Sequence, residues 1–309
     1  MRISGFTFIR NAVQFDFPII ECVRSALDLV DEFIVVAGNS EDATDELLAR
    51  LDSPKVKIIR TTWDTGTYNV AGSIYAQQTD VALRACTGDW CVYVQSDEVL
   101  HEDGLPAIRA ACEKYLDDPE VEGFVLDYVH LYADYDHYID AMHFGYPREI
   151  RVVRNRSDIH SWKDAQSFRV IPGFDGVSYW KKEGTRKLNC VKIDAKMFHY
   201  GWSRDPRCMG KKCSAHVKFY YPDCPDDLFE SFFDYGNLNY MPRFEGSHPA
   251  VMRERIAGCP WRSLVRFDGP RPDMKKKFSP KYRMVNFIER YMLGGRTIGG
   301  FKNYKLLSR

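Results

Sequence analysis

The strongest constraint on this chain is an alternation. Over roughly its first hundred residues, short β-forming runs are separated by stretches with helical spacing. "ISGFTFIR" (3–10), "EFIVVAG" (32–38), "VKIIRT" (56–61) and "WCVYVQS" (90–96) are rich in β-branched and aromatic residues. After the first run, Asp16-Phe17-Pro18 offers a capping side chain ahead of a proline suited to a first helical turn. Ile19, Ile20, Val23, Ala26, Leu27 and Val30 follow at three- and four-residue spacing, and residues 42–51 and 72–86 read as two further helices. Strands that alternate with helices imply parallel pairing through right-handed crossovers. The expected fold class is therefore α/β, a mostly parallel sheet flanked by helices.

Past Pro119 the pattern changes to longer mixed strands: "GFVLDYVHLY", "REIRVVR" and "AQSFRVI". From Asp205 onward the signals are helical and irregular, broken by prolines at 222, 225, 242, 260, 270 and 272. The last 39 residues, from Arg271, hold eleven Lys or Arg against two acids. Over the whole chain charge is balanced, with 43 basic and 43 acidic residues, so no global field points to nucleic acid. Nine scattered cysteines and an amino terminus that enters a strand at once predict reduced thiols and a cytoplasmic protein. No apolar run approaches the roughly 20 residues that span a bilayer.

Ligands of open α/β sheets sit beyond the carboxyl ends of the strands. Asn11, Asn39-Ser40, Trp63-Asp64 and Ser96-Asp97-Glu98 all fall there. No G-x-G-x-x-G follows the first strand and no Walker sequence occurs, which argues against hydride transfer and P-loop hydrolysis. Asp97 and Glu98 suit a hard divalent cation, since Mg²⁺ and Mn²⁺ prefer carboxylate oxygens completed by water and phosphate. Acids also favour helix amino ends, so the same pair reads equally as a cap with a solvated charge.

"FTFIRNAVQFDFPIIECVRSALDLVDEFIVVAGNSEDATDELL", the Trp63-Asp64 loop and "ALRACTGDWCVYVQSDE" together resemble the family 2 glycosyltransferases of GT-A fold. The resemblance is strong over about the first hundred residues and weaker beyond. It implies a catalytic domain over 1–204, with a nucleotide-sugar half (1–100) and an acceptor half (101–204), followed by a helical extension with a basic tail (205–309). It further implies that a strand-end acid holds a divalent metal, Mn²⁺ or Mg²⁺, on the diphosphate of a nucleotide-sugar donor. Asp97 falls at the last acidic ligand position. Two positions depart from the family pattern: Gln95 replaces the first acid of the motif and Ala37 replaces an Asp that contacts the nucleoside. Asp42 matches a later acid of that loop and could equally cap the helix that starts near Ala43.

"KMFHYGWSRDP" (196–206) resembles the segment in which a family His points back at the metal, which makes His199 the second ligand; the other reading is a structural histidine beside Tyr200. Arg204 or the Lys211-Lys212 pair could neutralise diphosphate oxygens. Asp164, in "SWKDAQ", stands where the family carries its base, although Lys163 replaces the usual Glu; the alternative is a loop acid paired with Lys163. The expected donor-binding set is Arg10, Asn11, Asn39, Asp42, Trp63, Gln95, Ser96 and Arg204. Trp63, Trp162, Trp180, Tyr200 and Trp202 are candidates for a sugar-stacking platform or for the core. The cluster Cys208, Cys213, His216 and Cys224 lacks a usual zinc spacing.

The implied function is a metal-dependent, inverting transfer of a sugar from a nucleotide diphosphate to a hydroxyl acceptor. The acceptor would be a saccharide or lipid-linked saccharide of a bacterial cell-surface polymer. The basic tail could rest on anionic lipid at the inner face of the membrane, or pack over the core through Met284, Phe287, Ile288 and Tyr291. Two rivals stand beside this reading. One is a degenerate nucleotide-sugar or glycan-binding protein, favoured by Gln95 and Ala37. The other is a sugar nucleotidyltransferase, for which the Gly-rich amino-terminal loop is missing.

Overall fold

The computed structural model describes residues 1–140, 146–225, 231–270, 272, 280–293, 298 and 302–309. The four early strands form as the sequence pattern predicts: β1 (Ile3–Ile9), β2 (Glu32–Ala37), β3 (Val56–Arg60) and β4 (Trp90–Tyr93). Between them lie α1 (Ile19–Ala26), α2 (Thr44–Leu48) and α3 (Ser73–Arg84). The strands pair in parallel in the order β3-β2-β1-β4. Strand alternation sends Phe33, Val35, Trp90 and Val92 to the face covered by α1. It sends Ile34, Val36, Cys91 and Tyr93 to the other face, where Leu83 of α3 packs. Both faces are covered, so these strands read as continuous apolar runs.

The second half is mixed. It comprises β5 (Glu98–Leu100), α4 (Leu105–Lys114), β6 (Gly123–Ala133), β7 (Arg148–Arg154), β8 (Ile159–Trp162), β9 (Ser167–Val170) and the long β10 (Arg186–Ser203). Strand β7 runs antiparallel between β4 and β6, and β10 lies parallel to β6. The architecture is thus the α/β, GT-A-type fold that the resemblance implied, parallel in its first half and mixed beyond.

After β10 come α5 (Pro206–Lys218), α6 (Arg253–Ala257), α7 (Pro280–Phe287) and a last strand, β11 (Tyr304–Leu306), joined by turns and irregular chain. The chain after 205 is thus only partly helical, and β11 returns to the main sheet beside β10. A third apolar cluster, with Leu131, Tyr135, Phe198, Tyr235 and Trp261, ties this segment to the far ends of β6 and β10. Much of the basic tail (271, 273–279, 294–297 and 299–301) lies outside the described residues. Of the four tail residues expected to pack on the core, Met284, Phe287 and Tyr291 are exposed. Among the described residues no helix is long and apolar enough to cross a membrane.

One expected cap is not formed. Asp16 has φ 52° and pairs with Arg255, while α1 has Pro18 at its N-cap and no side-chain cap. The partner lies 239 residues away and leaves no local signal.

Glu32 is the polar clamp of the parallel half. Its carboxylate accepts from Ser4 Oγ (2.8 Å), Thr87 N and Oγ1 (2.7 Å each) and Lys57 Nζ (2.7 Å), which joins β1, β2, β3 and the entry to β4. Burial works to raise its carboxyl, and the Lys57 ammonium with the two hydroxyls and the Thr87 amide holds it down at about 2. A carboxyl depressed on folding adds stability that is complete above its ordinary value of 4.5 and is lost as pH falls from there through about 2. Glu32→Ala is expected to lower the unfolding free energy by about 2–4 kcal/mol at pH 7. Urea unfolding at pH 7 and pH 3 checks this, with the mutant's deficit shrinking at the lower pH.

Candidate active site

A cleft of about 830 Å³ opens at the carboxyl ends of β1 and β4 and is closed on one side by α5. Arg10, Asn11, Trp63, Gln95, Ser96, Asp97 and Asp164 of the expected set line it. Asn39, Asp42, His199 and Arg204 do not line it.

The amino-terminal wall is built on a left-handed turn at Asn11 (φ 54°). Asn11 Oδ1 accepts from Glu41 N at 2.8 Å, and the Asn11 backbone N–H donates to Ser40 Oγ at 3.0 Å, so this residue clamps the loops after β1 and β2. Asp42 performs the capping reading: Oδ1 accepts from Thr44 N (3.1 Å), and Oδ2 accepts from Gln14 N (2.6 Å). Asn39 accepts from Trp63 N through Oδ1 (3.0 Å) and from Arg10 Nε through its carbonyl (3.1 Å). The Arg10 guanidinium thereby lies over the Trp63 ring, 5.2 Å from its centroid. Trp63 can seat there because Gly38 has no side chain; a Cβ would meet Trp63 Nε1 at 2.3 Å. Phe8, Tyr75 and Phe219 complete an aromatic end around Trp63. Of the five aromatic candidates only Trp63 lines the cleft. Trp162 is buried against Arg169, Tyr200 bonds His248, Trp180 meets Lys163 and Trp202 meets Phe233.

The charged end is organised by β5 and β10. Tyr200 N donates to Asp97 O at 2.8 Å, and Glu98 faces His199 across the antiparallel β5/β10 pair. This pairing brings Asp97 beside His199, whose Nε2 is 3.9 Å from Asp97 Oδ2. Strand β10 bulges between His199 and Trp202, and a Cβ on Gly201 would meet His199 Nε2 at 2.2 Å and Asp97 Oδ2 at 3.0 Å. Lys212 Nζ donates to Asp97 Oδ2 at 3.0 Å and to Gly201 O at 3.1 Å. Arg204 Nη2 lies 3.5 Å from the same carboxylate oxygen. The Arg204 guanidinium is fully buried over Phe17, 4.7 Å from the ring centroid, and donates to Phe15 O. Burial pushes the Asp97 carboxyl up, and Lys212, with Arg204, outweighs it and holds the group well below the usual carboxylate range. Burial first, then the neighbouring Arg204, lowers Lys212 to about 8.

Tandem acids separate here. Glu98 points away from the cleft into a fully buried ion pair with Arg151, with Nε and Nη2 each 2.8 Å from a carboxylate oxygen. The pairing of Asp97 with Glu98 on one cation, expected from their adjacency, is therefore not what forms. Asp97 lies in the turn before β5 and Glu98 is the first residue of that strand, so the two side chains leave in different directions.

Asp164 projects from a strained loop, flanked by Lys163 (φ 60°) and Ala165 (φ 65°) in left-handed conformations. Gln95 Nε2 donates to Ala165 O at 3.1 Å, so the residue that replaces an acid in the motif instead anchors this loop. Gln166 Nε2 donates to Asp164 Oδ1 at 3.1 Å, and the Tyr220 hydroxyl donates to Oδ2.

Sequence reasoning named Lys212 for the diphosphate but did not single out Tyr75, Tyr220, His130 or a helix face that carries Lys212 into a cleft wall. The signal for the last was present: Asp205 caps α5 through Arg207 N (2.9 Å) with Pro206 in the first turn, and Lys212, His216 and Phe219 recur at helical spacing. His216 stacks on Tyr75 at 5.7 Å, and burial lowers its ring to about 4. His216 thus belongs to the cleft wall. Among the described residues no group of three His, Cys, Asp or Glu side chains could hold a metal ion.

Residues 18–161 match the family model described as Glycosyl transferase family 2. With the strand order and the strand-end cleft, this segment is a family 2 glycosyltransferase domain, of the class of enzymes that transfer sugars. The chain is 23% identical over 211 residues to a TPR repeat-containing protein of Synechococcus elongatus, a match that covers 67% of this chain and 46% of that protein. The chain thus spans about half the length of that curated relative. Among solved structures, Staphylococcus aureus TarS aligns at a TM-score of 0.40 and 14% identity, over 73% of this chain and 41% of that one. The mannosyltransferase PcManGT of Pyrobaculum calidifontis, solved with GDP-Man and Mn²⁺, aligns at 0.30 and 21%, over 43% and 35%. Glucosyl-3-phosphoglycerate synthase of Mycobacterium tuberculosis, solved with Mn²⁺, UDP and phosphoglyceric acid, aligns at 0.28 and 18%, over 42% and 43%.

Proposed function

We propose that the protein transfers a sugar from a nucleotide-diphospho-sugar to a hydroxyl acceptor, with inversion at the anomeric carbon. The observation that carries this is the polarity of the cleft. One end is aromatic, the other is a buried cationic centre of Lys212 and Arg204 around Asp97, and Asp164 lines the same cleft. The aromatic end, with Arg10 over Trp63, suits a nucleobase, and the cationic end suits a diphosphate.

In this reading Asp164 takes the proton from the acceptor hydroxyl as its oxygen bonds to the anomeric carbon. The bond from that carbon to the diphosphate breaks on the opposite face and its electron pair leaves with the phosphate oxygen. The charge that develops there is met by the cationic centre. Residues 1–204 act as the catalytic domain, and α5 of the extension supplies one wall. The acceptor class, a saccharide hydroxyl, rests on the family resemblance alone, and a cytoplasmic placement rests on the scattered cysteines.

A divalent metal would be held by Asp97 and His199 if present. The donor set falls short of that task, since two cations already crowd the one carboxylate and Gln95 turns its amide to Ala165. No step is routed through a metal. The test is turnover: the purified chain is incubated with UDP-, GDP- and dTDP-sugars, with and without saccharide acceptors, and nucleoside diphosphate release is followed. Acceptor-dependent release from one donor class is expected. Binding with no release and no hydrolysis under any condition would instead favour the degenerate binding protein.

A further inference from the structure

We infer that the ammonium of Lys212, backed by Arg204, is the cation that serves the donor diphosphate, in the seat where family resemblance places a divalent metal. The inference rests on the nucleotide-sugar reading above and deepens it.

Three groups converge on Asp97 Oδ2: Lys212 Nζ at 3.0 Å, Arg204 Nη2 at 3.5 Å and His199 Nε2 at 3.9 Å. The protonation of the imidazoles follows from their bonds. His130 Nε2 lies 2.8 Å from Tyr146 O, an acceptor only, so it carries the proton and leaves Nδ1 as an acceptor. His199 Nδ1, 3.0 Å from that atom, then donates, and His199 Nε2 holds a lone pair. In this pattern each ring makes its bonds as a neutral imidazole. Asp97 and His199 are thus two donors around a seat, and the seat is taken.

The ammonium of Lys212 fills it. The bulge at Gly201 leaves the space and supplies the second acceptor, so Lys212 is fixed by two bonds at 3.0 and 3.1 Å. Three ammonium protons less two bonds leave one for a phosphate oxygen in the cleft that Lys212 lines. Behind it Arg204 Nε and Nη2 are buried without a hydrogen-bond partner, a fixed positive charge aimed at the same place. Phe17 lies against both cations, its ring centroid 4.7 Å from Arg204 and 5.3 Å from Lys212. One carboxylate against two cations gives a net positive centre before any ligand arrives. A divalent ion bonded to Asp97 at the usual 2.0–2.2 Å or so would stand among those charges, whereas a diphosphate would be neutralised by them.

The experiment has two arms on the full chain. Calorimetric titrations with UDP, GDP and dTDP are run in EDTA and in Mn²⁺, on the wild type, Lys212→Met and Lys212→Arg. Separately, Mn²⁺ binding without nucleotide is read by electron paramagnetic resonance on the wild type and Lys212→Met. The expected result is one nucleotide bound with about equal affinity in EDTA and Mn²⁺, weakened about tenfold or more by Lys212→Met and less by Lys212→Arg. The wild type leaves the free Mn²⁺ signal intact, and Lys212→Met opens a site that quenches it. Nucleotide binding that requires Mn²⁺, or a wild-type Mn²⁺ site abolished by Asp97→Ala, overturns the inference. If no nucleotide binds in either buffer, the proposed function fails, and the Mn²⁺ arm still decides who occupies the seat.

Discussion

Asp164→Asn is expected to slow sugar transfer about 10²–10⁴-fold, with nucleotide affinity held within about twofold, since the lost interaction belongs to the transition state alone. The substitution is nearly isosteric and keeps an acceptor for the Tyr220 hydroxyl, so the loop has no reason to move. That loop is held independently of the carboxylate: Lys163 N donates to Tyr179 O at 3.1 Å and Gln95 Nε2 grips Ala165 O at 3.1 Å. Two residues with positive φ on either side of Asp164 are conformations that cost energy and persist because the surroundings impose them. Such a device makes sense for aiming one side chain. Single-turnover rates and calorimetric titration on the same preparations separate the two quantities. Equal loss in both, or affinity lost with the rate intact, would make Asp164 a wall residue and return the search for the base to the rest of the cleft.

What could be read in the sequence follows the range of the signal. Strands β1 to β4 and helices α1 and α3 announce themselves because the periodicity that defines them is local. The strand-end positions of Asn11, Trp63, Gln95, Ser96 and Asp97 then follow from the rule for α/β sheets, and the structure places them around one cleft. Partners escape such reading when they lie far along the chain. Glu98 meets Arg151 53 residues on, and nothing near Glu98 distinguishes a buried acid from a site acid. Lys211 and Lys212 look like one unit in the sequence. Successive helix positions are turned about 100° apart, and only Lys212 faces the cleft. Gln95 looked like a lost ligand and is a loop anchor, a role visible only once Ala165 is placed beside it. The strand β11 escaped because its three residues draw their order from β10, not from their own pattern.

The second large effect concerns Arg151. Arg151→Met is expected to destabilise the fold by about 3–5 kcal/mol, because removing one partner strands a buried charge. Glu98 and Arg151 are both fully buried. Glu98 also accepts from Tyr128 Oη at 2.7 Å and from Gln95 N at 3.0 Å, so its carboxylate is surrounded by donors placed for a negative charge. Arg151 lies 5.3 Å from the ring centroids of Tyr93 and Tyr128 and donates through Nη1 to Ile150 O and Gln166 O. The pair therefore joins the strand-end turn carrying Gln95, Ser96 and Asp97 to the loop carrying Asp164, at the centre of the sheet. The Glu98→Gln, Arg151→Met double variant removes both charges and should recover part of the loss, since the worst cost of either single change is the unpaired partner. Denaturant unfolding of the two single variants and the double variant measures the coupling directly. A double variant as unstable as the sum of the singles would mean that the two side chains act separately, and that the link between the Asp97 turn and the Asp164 loop is carried by packing instead.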